Sequence, residues 1–338
     1  MPEGATDAVF DRGNETSTRE AGVHDAALEA SDANSSCTDA DPCVVTLASA
    51  TGIACGMVVD GANVYLITSG VSSGTVVRLP IDGGPVVTLA SSLQNPACDI
   101  AIDSTFVYWD SYRSDGGGVF KVPKVPIDGG LPTSVASSLS AGERPNGGGL
   151  AVAGSSVYWT TASTVMKGDL SSGASTTLAS GQADPGSILV DSRNMYWLSD
   201  RSGYGSIFSL PLDGGSMATL ASGVENATVL AIGGTNIFWA NQSTGVVEVG
   251  LDGGLGPTPA SGDSVPGMTG DETAVYWTTD HQGLGNVMKA DITSGVHGQA
   301  ITLEMGVNQP TAVAVDSTSV YWVTVSTNSG SVMKRTPK

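Results

Sequence analysis

The apolar positions of this chain recur in short alternating runs separated by Gly-, Asp- and Ser-rich breaks. A period of two places successive side chains on opposite faces of a strand. The most regular run is an aromatic triplet: "VYL" (64–66), "VYW" (107–109), "VYW" (157–159), "MYW" (195–197), "IFW" (237–239), "VYW" (275–277) and "VYW" (320–322). Its central residues, Tyr65, Tyr108, Tyr158, Tyr196, Phe238, Tyr276 and Tyr321, are 43, 50, 38, 42, 38 and 45 residues apart. A small aliphatic run precedes each triplet, from "MVVD" (57–60) to "VAVD" (313–316), and a third run follows it, from "TVVRLPI" to "SVMKRT". Then comes a turn written "IDGG" at 81–84 and 127–130 and "LDGG" at 212–215 and 251–254. Asp-Gly is a hairpin signal, because the turn needs positive φ, which Gly accepts and Asp tolerates. A fourth β-prone run, such as "PVVTLASS" (85–92), comes after the turn.

Four short strands, A to D, repeated every 40–50 residues or so predict a β-propeller. The last repeat stops after its third strand, while a spare run of the fourth kind, "VVTLAS" (44–49), stands before the first repeat. The expected fold is therefore all-β: a seven-bladed β-propeller of four-stranded blades, closed by the N-terminal strand as the outer strand of the last blade. The stutter "KVPKVPI" (121–127) predicts a lengthened strand C in the second blade, with Pro123 and Pro126 on its outer part.

Charge divides the chain near residue 42. Residues 1–42 hold ten acids against Arg12 and Arg19 and sustain no apolar period, which predicts a disordered acidic tether before a propeller over 43–338. The net charge is −19, of which −11 falls on the propeller, and this argues against nucleic acid and anionic membranes as partners. No run of 18 apolar residues predicts a membrane span. "MPEGATDAVF" lacks the basic start and apolar core of an export signal, so such a signal was trimmed, lies upstream, or the chain is cytoplasmic. The cysteines favour an extracytoplasmic site. Cys37 and Cys43 flank a short ring, and Cys55 and Cys98 each lie ten residues before their triplet's Tyr, in adjacent blades. Two disulfides, Cys37–Cys43 and Cys55–Cys98, are expected. A metal site is the lesser alternative, since there is no Cys-x₂-Cys and no His nearby.

The aliphatic run ending in Asp, the aromatic pair and the "LDGG" turn together resemble YWTD-type and NHL-like propellers, most closely at "AVAVDSTSVYW" (312–322). The resemblance covers 43–338 and implies the propeller fold. It departs two positions after Trp, where the family's Asp is replaced by Ser111, Thr161, Ser199, Asn241, Thr279 and Thr324, so no receptor role is carried over. The chain is also similar to secreted propellers of Gram-negative bacteria.

All six Trp and six of the eight Tyr lie in the triplets, where blade packing accounts for them. The remaining polar and aromatic groups gather, by propeller geometry, on the face carrying the B–C and D–A loops: Tyr112, Arg113, Arg144, Asp200, Arg201, Tyr204, Asn241 and His281. This is the candidate ligand face. Asp99, Glu143, Asp184, Glu225 and Asp263 approach the channel mouth there and form a weaker candidate calcium site. No other cofactor is expected. Catalytic signatures such as Gly-x-Ser-x-Gly or His-Glu-x-x-His are missing. Two functions follow: a non-catalytic, monomeric, extracytoplasmic module binding a glycan, peptide or protein, or a propeller enzyme of lyase or hydrolase type. The second is similar to streptogramin-lyase-like propellers and would use His281 with Asp280 and the channel-mouth acids.

Overall fold

The computed structural model describes residues 29–30, 43–50, 53–69, 73–94, 96–111, 117–125, 131–136, 145–199, 204–225, 227–241, 245–251, 253–254, 256, 263–292, 299–326 and 329–338. Every regular element among them is a strand, and the strands form seven sheets arranged as a seven-bladed propeller. Blade 1 comprises Ile53–Val59, Asn63–Ser69, Gly74–Pro80 and Val87–Leu93, which we label A to D from the axis outwards. Blade 2 comprises Pro96–Ile102, Phe106–Ser111, Gly118–Pro123 and Thr133–Ala136. Blade 3 comprises Pro145–Ala153, Ser156–Thr161, Thr164–Asp169 and Ser175–Ser180. In blade 4 the strands are Ile188–Val190, Asn194–Ser199, Tyr204–Pro211 and Ala218–Glu225. Blade 5 shows A to C, Val229–Gly233, Asn236–Asn241 and Gly245–Gly250; most of the segment that follows lies outside the described residues. Blade 6 has Met268–Gly270, Ala274–Thr278, Leu284–Asp291 and Ile301–Asn308. Blade 7 has Pro310–Val315, Val320–Ser326 and Ser329–Thr336, and Cys43–Ala50 pairs antiparallel with the last of these, closing the ring. Of the acidic segment 1–42, only Glu29–Ala30 is described: it pairs with Ser49 and Ala48 at the outer edge of the same sheet.

The triplet explains how blades adhere. Tyr and Trp are consecutive, so they leave the strand on opposite faces. Each central aromatic therefore meets the next blade's Trp: Tyr65 with Trp109, Tyr108 with Trp159, Tyr158 with Trp197, Tyr196 with Trp239, Phe238 with Trp277, and Tyr276 with Trp322. At the closing interface Tyr321 meets Leu66, the residue that replaces Trp in blade 1. Aromatic side chains bury about 150–250 Å² each, which makes these seven clusters the core.

A second repeated device holds the opposite, A–B face. Asp60 Oδ1 accepts the backbone N–H groups of Ala62 (3.0 Å) and Asn63 (2.9 Å), and its Oδ2 accepts the Tyr65 hydroxyl at 3.0 Å. Asp103, Asp191 and Asp316 repeat this pattern, each five residues before its Tyr, with hydroxyl distances of 2.6, 2.8 and 2.7 Å. In blade 6, Lys338 Nζ takes Asp271 Oδ2 at 2.6 Å and the Tyr276 hydroxyl has no hydrogen-bond partner. Burial opposes the charge of Asp60, but the hydrogen bonds from Lys124, the two backbone N–H groups and Tyr65 outweigh it and hold the carboxyl down at about 2.

The stutter resolves differently from its expectation. Strand C of blade 2 ends at Pro123, and the second lysine leaves the sheet. Lys124 Nζ reaches Asp60 of blade 1 at 2.8 Å, its ammonium lies 4.9 Å from the centre of the Tyr65 ring, and its carbonyl accepts Arg78 Nη1 at 3.0 Å. Lys124 thus links blade 2 to blade 1 at the point where the strand ends. Residues 126–130 lie outside the described residues.

Candidate functional site

The start of each strand A and the end of each strand B are paired, as Pro310 is with Thr324 and Ile53 with Ser69, so the D–A and B–C loops share one face. On that face, blade 6 brings two sequence-predicted residues together. Asp263 lies in the D–A connection, and Ser264 bridges to Asp280 across the B–C hairpin, with Asp280 N donating to Ser264 O at 2.9 Å. The hairpin turns at Gln282 (φ 56°) and Gly283 (φ 91°), the two positive-φ positions a tight hairpin requires. His281 N donates to Leu284 O at 2.8 Å, and Asp280 Oδ1 accepts Gly283 N at 2.8 Å. His281 is thereby fixed at the hairpin tip, with Nδ1 3.7 Å from Asp263 Oδ1. Their side chains are 74% and 42% exposed, so the pair is a surface contact that a ligand can rearrange.

Beneath it, between blades 5 and 6, is a small cleft of ≈ 90 Å³. Val246, Val265, Trp277 and Met288 form its apolar wall, and Asp263, Thr279 and Asn286 supply polar groups. Thr279 Oγ1 accepts Asn286 N at 3.1 Å, and Asn286 Oδ1 accepts Gly306 N at 3.3 Å, which leaves the NH₂ of Asn286 as the donor it can offer. Gly285 is required here, since a Cβ on it would run into the Thr279 carbonyl.

The other predicted residues are placed as follows. Tyr204 opens strand C of blade 4, is 77% exposed and stands opposite Glu225. Asn241 ends strand B of blade 5 and pairs with Gly245 at the cleft margin. Asp99 and Glu225 lie inside strands, not in the loops expected for them, because strand A of blade 2 starts at Pro96 and strand D of blade 4 runs on to Glu225. Asp184 takes a positive φ of 39° before strand A of blade 4. Tyr112, Arg113, Glu143, Arg144, Asp200 and Arg201 lie outside the described residues. Among the described residues no three of His, Cys, Asp and Glu form a metal-sized cluster.

The hydroxyl residues two places after Trp have structural work. Ser111 Oγ donates to the Gln94 carbonyl and Ser199 Oγ to the Ala183 carbonyl (3.0 Å), fastening D–A loops, while Thr161 Oγ1 accepts Thr164 N at 3.0 Å. Cys55 and Cys98 form a disulfide between neighbouring A strands, with Cα atoms 5.2 Å apart. Cys37 lies outside the described residues, and none of the described cysteines is free. Sequence reasoning passed over Asp110, which is fully buried directly after Trp109. Laying the seven blades side by side would have revealed it, since the same place holds Ile67, Thr160, Leu198, Ala240, Thr278 and Val323.

Fold and site together define the class: this is a seven-bladed β-propeller with a polar cleft on its loop face. No family model and no curated protein matches the sequence. Solved structures do match it at the level of fold. The chain is similar to the WD40 β-propeller domain of Doa1, with a TM-score of 0.59 and 13% identity over 83% of this chain and 93% of that one. It is similar to the S511A mutant of puromycin hydrolase complexed with PGG (TM-score 0.58, 15% identity, 81% of this chain), of which it spans half the length (50%). It is also similar to PorZ, a bacterial surface component of the type-IX secretion system of Porphyromonas gingivalis (TM-score 0.55, 12% identity, 85% of this chain and 39% of that one).

Proposed function

We propose that this chain is a YWTD-like extracytoplasmic binding module, and that it takes a peptide or protein segment on its loop face with one side chain entering the blade 5–6 cleft. The observation that carries this reading is the arrangement of Asp263, Thr279 and Asn286 around an apolar-walled cleft, with His281 at its rim. Convergent polar groups over apolar walls on a rigid scaffold are the usual make-up of a recognition site. The Asp263 carboxylate and the net charge of −19 favour a basic side chain in the ligand over an acidic one. The Cys55–Cys98 disulfide supports an oxidising compartment.

The test is a peptide array in which Lys and Arg content is varied, run beside a glycan array. Binding to basic peptides is expected, and Asp263→Asn with His281→Ala should weaken it at least tenfold, about 1.4 kcal/mol. The same double variant should melt within a degree or two of the parent, because exposed positions contribute only about ±0.5 kcal/mol. Retained peptide affinity would put the site elsewhere on the face, and glycan binding alone would change the ligand class.

The 3.7 Å approach of Asp263 to His281 favours one second reading, a lyase or hydrolase in which Asp263 orients His281 as acid or base. Any turnover found with a substrate panel should then vanish in His281→Ala.

A further inference from the structure

We propose that Asp110 and Asp99 hold a calcium ion at the loop-face end of the interface between blades 2 and 3. Asp110 lies on strand B of blade 2, between Trp109 and Ser111. Alternation gives it the same side of the sheet as Tyr108, which packs toward blade 3. At the corresponding place in other blades, Ile67, Leu198, Ala240 and Val323 are apolar members of the interface clusters. Asp110 is 0% exposed, and neither of its carboxyl oxygens has a hydrogen-bond partner. A buried carboxyl without partners is costly and rare, and a bound ion is one of the few arrangements that relieve it.

The surroundings point to an oxygen-ligated cation. Strand A bulges opposite Asp110: Pro96 pairs with Ser111 and Ile100 with Trp109, so residues 97–99 face a single residue. The bulge brings the Asp99 charge near, and burial together with that charge raises the proton affinity of Asp110 well above the ordinary range. The adjoining strand A of blade 3 is displaced in the same way, with Pro145 paired to Thr161 and Leu150 to Trp159. Bulged backbone leaves carbonyl groups outside the ladder. Two carboxylates with such carbonyls and water form the hard, irregular oxygen set that calcium accepts. The ion would tie two strands of blade 2 to blade 3.

The full chain is melted in 2 mM CaCl₂ and in EDTA, and CaCl₂ is titrated calorimetrically. Calcium should raise the midpoint by about 3 °C or more, with one binding event in the titration. Asp110→Leu, which copies the residue of blade 4, should melt at or above the parent in EDTA and lose both the calcium shift and the binding heat. Asp110→Asn, closer in shape, should lose the same responses should the leucine variant fail to fold. A parent that melts alike in calcium and EDTA overturns the proposal and leaves Asp110 as a buried neutral acid. A calcium shift that survives in the variants also overturns it.

Discussion

Blades 1 and 5 occupy equivalent places in the ring but hold their A–B faces differently. In blade 1, Asp60, Tyr65, Arg78 and the neighbouring Lys124 form one charged and hydrogen-bonded unit. Blade 5 has Gly233 in place of the Asp, Phe238 in place of the Tyr and buried Glu248 where blade 1 has Arg78. Gly234, at φ 56°, makes the turn that a carboxylate makes elsewhere. The changes are a set. Without the Asp acceptor a Tyr hydroxyl would be buried unsatisfied, and a ring without hydroxyl removes that cost. Blade 3 shows the intermediate case, with Ala153 and Gly154 (φ 57°) in the turn and Tyr158 retained beneath Lys167, whose ammonium lies 5.8 Å from the ring centre. Blade 6 departs again, since it keeps both Asp271 and Tyr276 while Lys338 takes the carboxylate and the hydroxyl is left without a partner.

Asp60→Ala removes the acceptor for two backbone N–H groups and Tyr65 and leaves the Lys124 side chain, 11% exposed, without its counter-ion. The expected loss is about 3 kcal/mol, the low end for breaking a buried pair because Asp60 is itself 29% exposed. Urea unfolding measures it, and a loss below about 1 kcal/mol would mean the unit is ornamental.

Phe238→Tyr restores the repeat's commoner residue and is nonetheless expected to destabilise by about 1–3 kcal/mol, since its hydroxyl would find Gly233 where an Asp stands in blade 1. Supplying the Asp does not rescue it simply: a Cβ on Gly233 would lie 2.9 Å from Ile292 Cδ1 and 3.0 Å from the Phe238 ring. A neutral Phe238→Tyr would show that Glu248 has taken over the acceptor role.

The smallest effect is on pH dependence. The carboxyls of Asp60 and Asp271 are held at about 2, below their ordinary value, so the stability they confer is complete above about pH 4 and is lost as pH falls through 2. Burial and the partner Asp push Tyr65 and Tyr196 up to about 12, so their contribution is intact below pH 10 and is lost as pH rises through 12. Asp191→Asn should flatten the acid limb of a melting-against-pH curve slightly. An equally slight change on the acid limb from Phe238→Tyr would erase the distinction between the blades.

The architecture was legible because its signals are local and periodic. The Tyr-Trp step and the Asp-Gly turn each act within a few residues, and seven repetitions remove ambiguity. The Asp–Tyr pair was also present in the sequence, at a fixed separation of five residues, but Asp at the end of strand A passes for turn punctuation until its second oxygen is followed to the ring. The stutter gave no sign of the contact Lys124 makes, because its partner Asp60 is 64 residues away in another blade. The site was half legible. Topology put Asp263 and His281 on one face, but their contact depends on the Ser264–Asp280 bridge and a tight turn at Gln282 and Gly283. Asp110 directly follows Trp109 on the same strand, and one acid beside a repeated aromatic pair carries no periodic signal.

The exchange of Trp for Leu66 gives the ring a seam. Six aromatic interfaces join blades that follow one another along the chain, while the seventh must bring Tyr321 to Leu66 across nearly the whole chain, and the same region depends on Cys43–Ala50 for its outer strand. Loop closure makes that distant contact the slowest to form. The ring is therefore expected to assemble as an arc and latch last. The amides of Cys43–Ala50 should then exchange with deuterated solvent by partial opening, and those of the Trp-bearing strands only when the whole propeller unfolds.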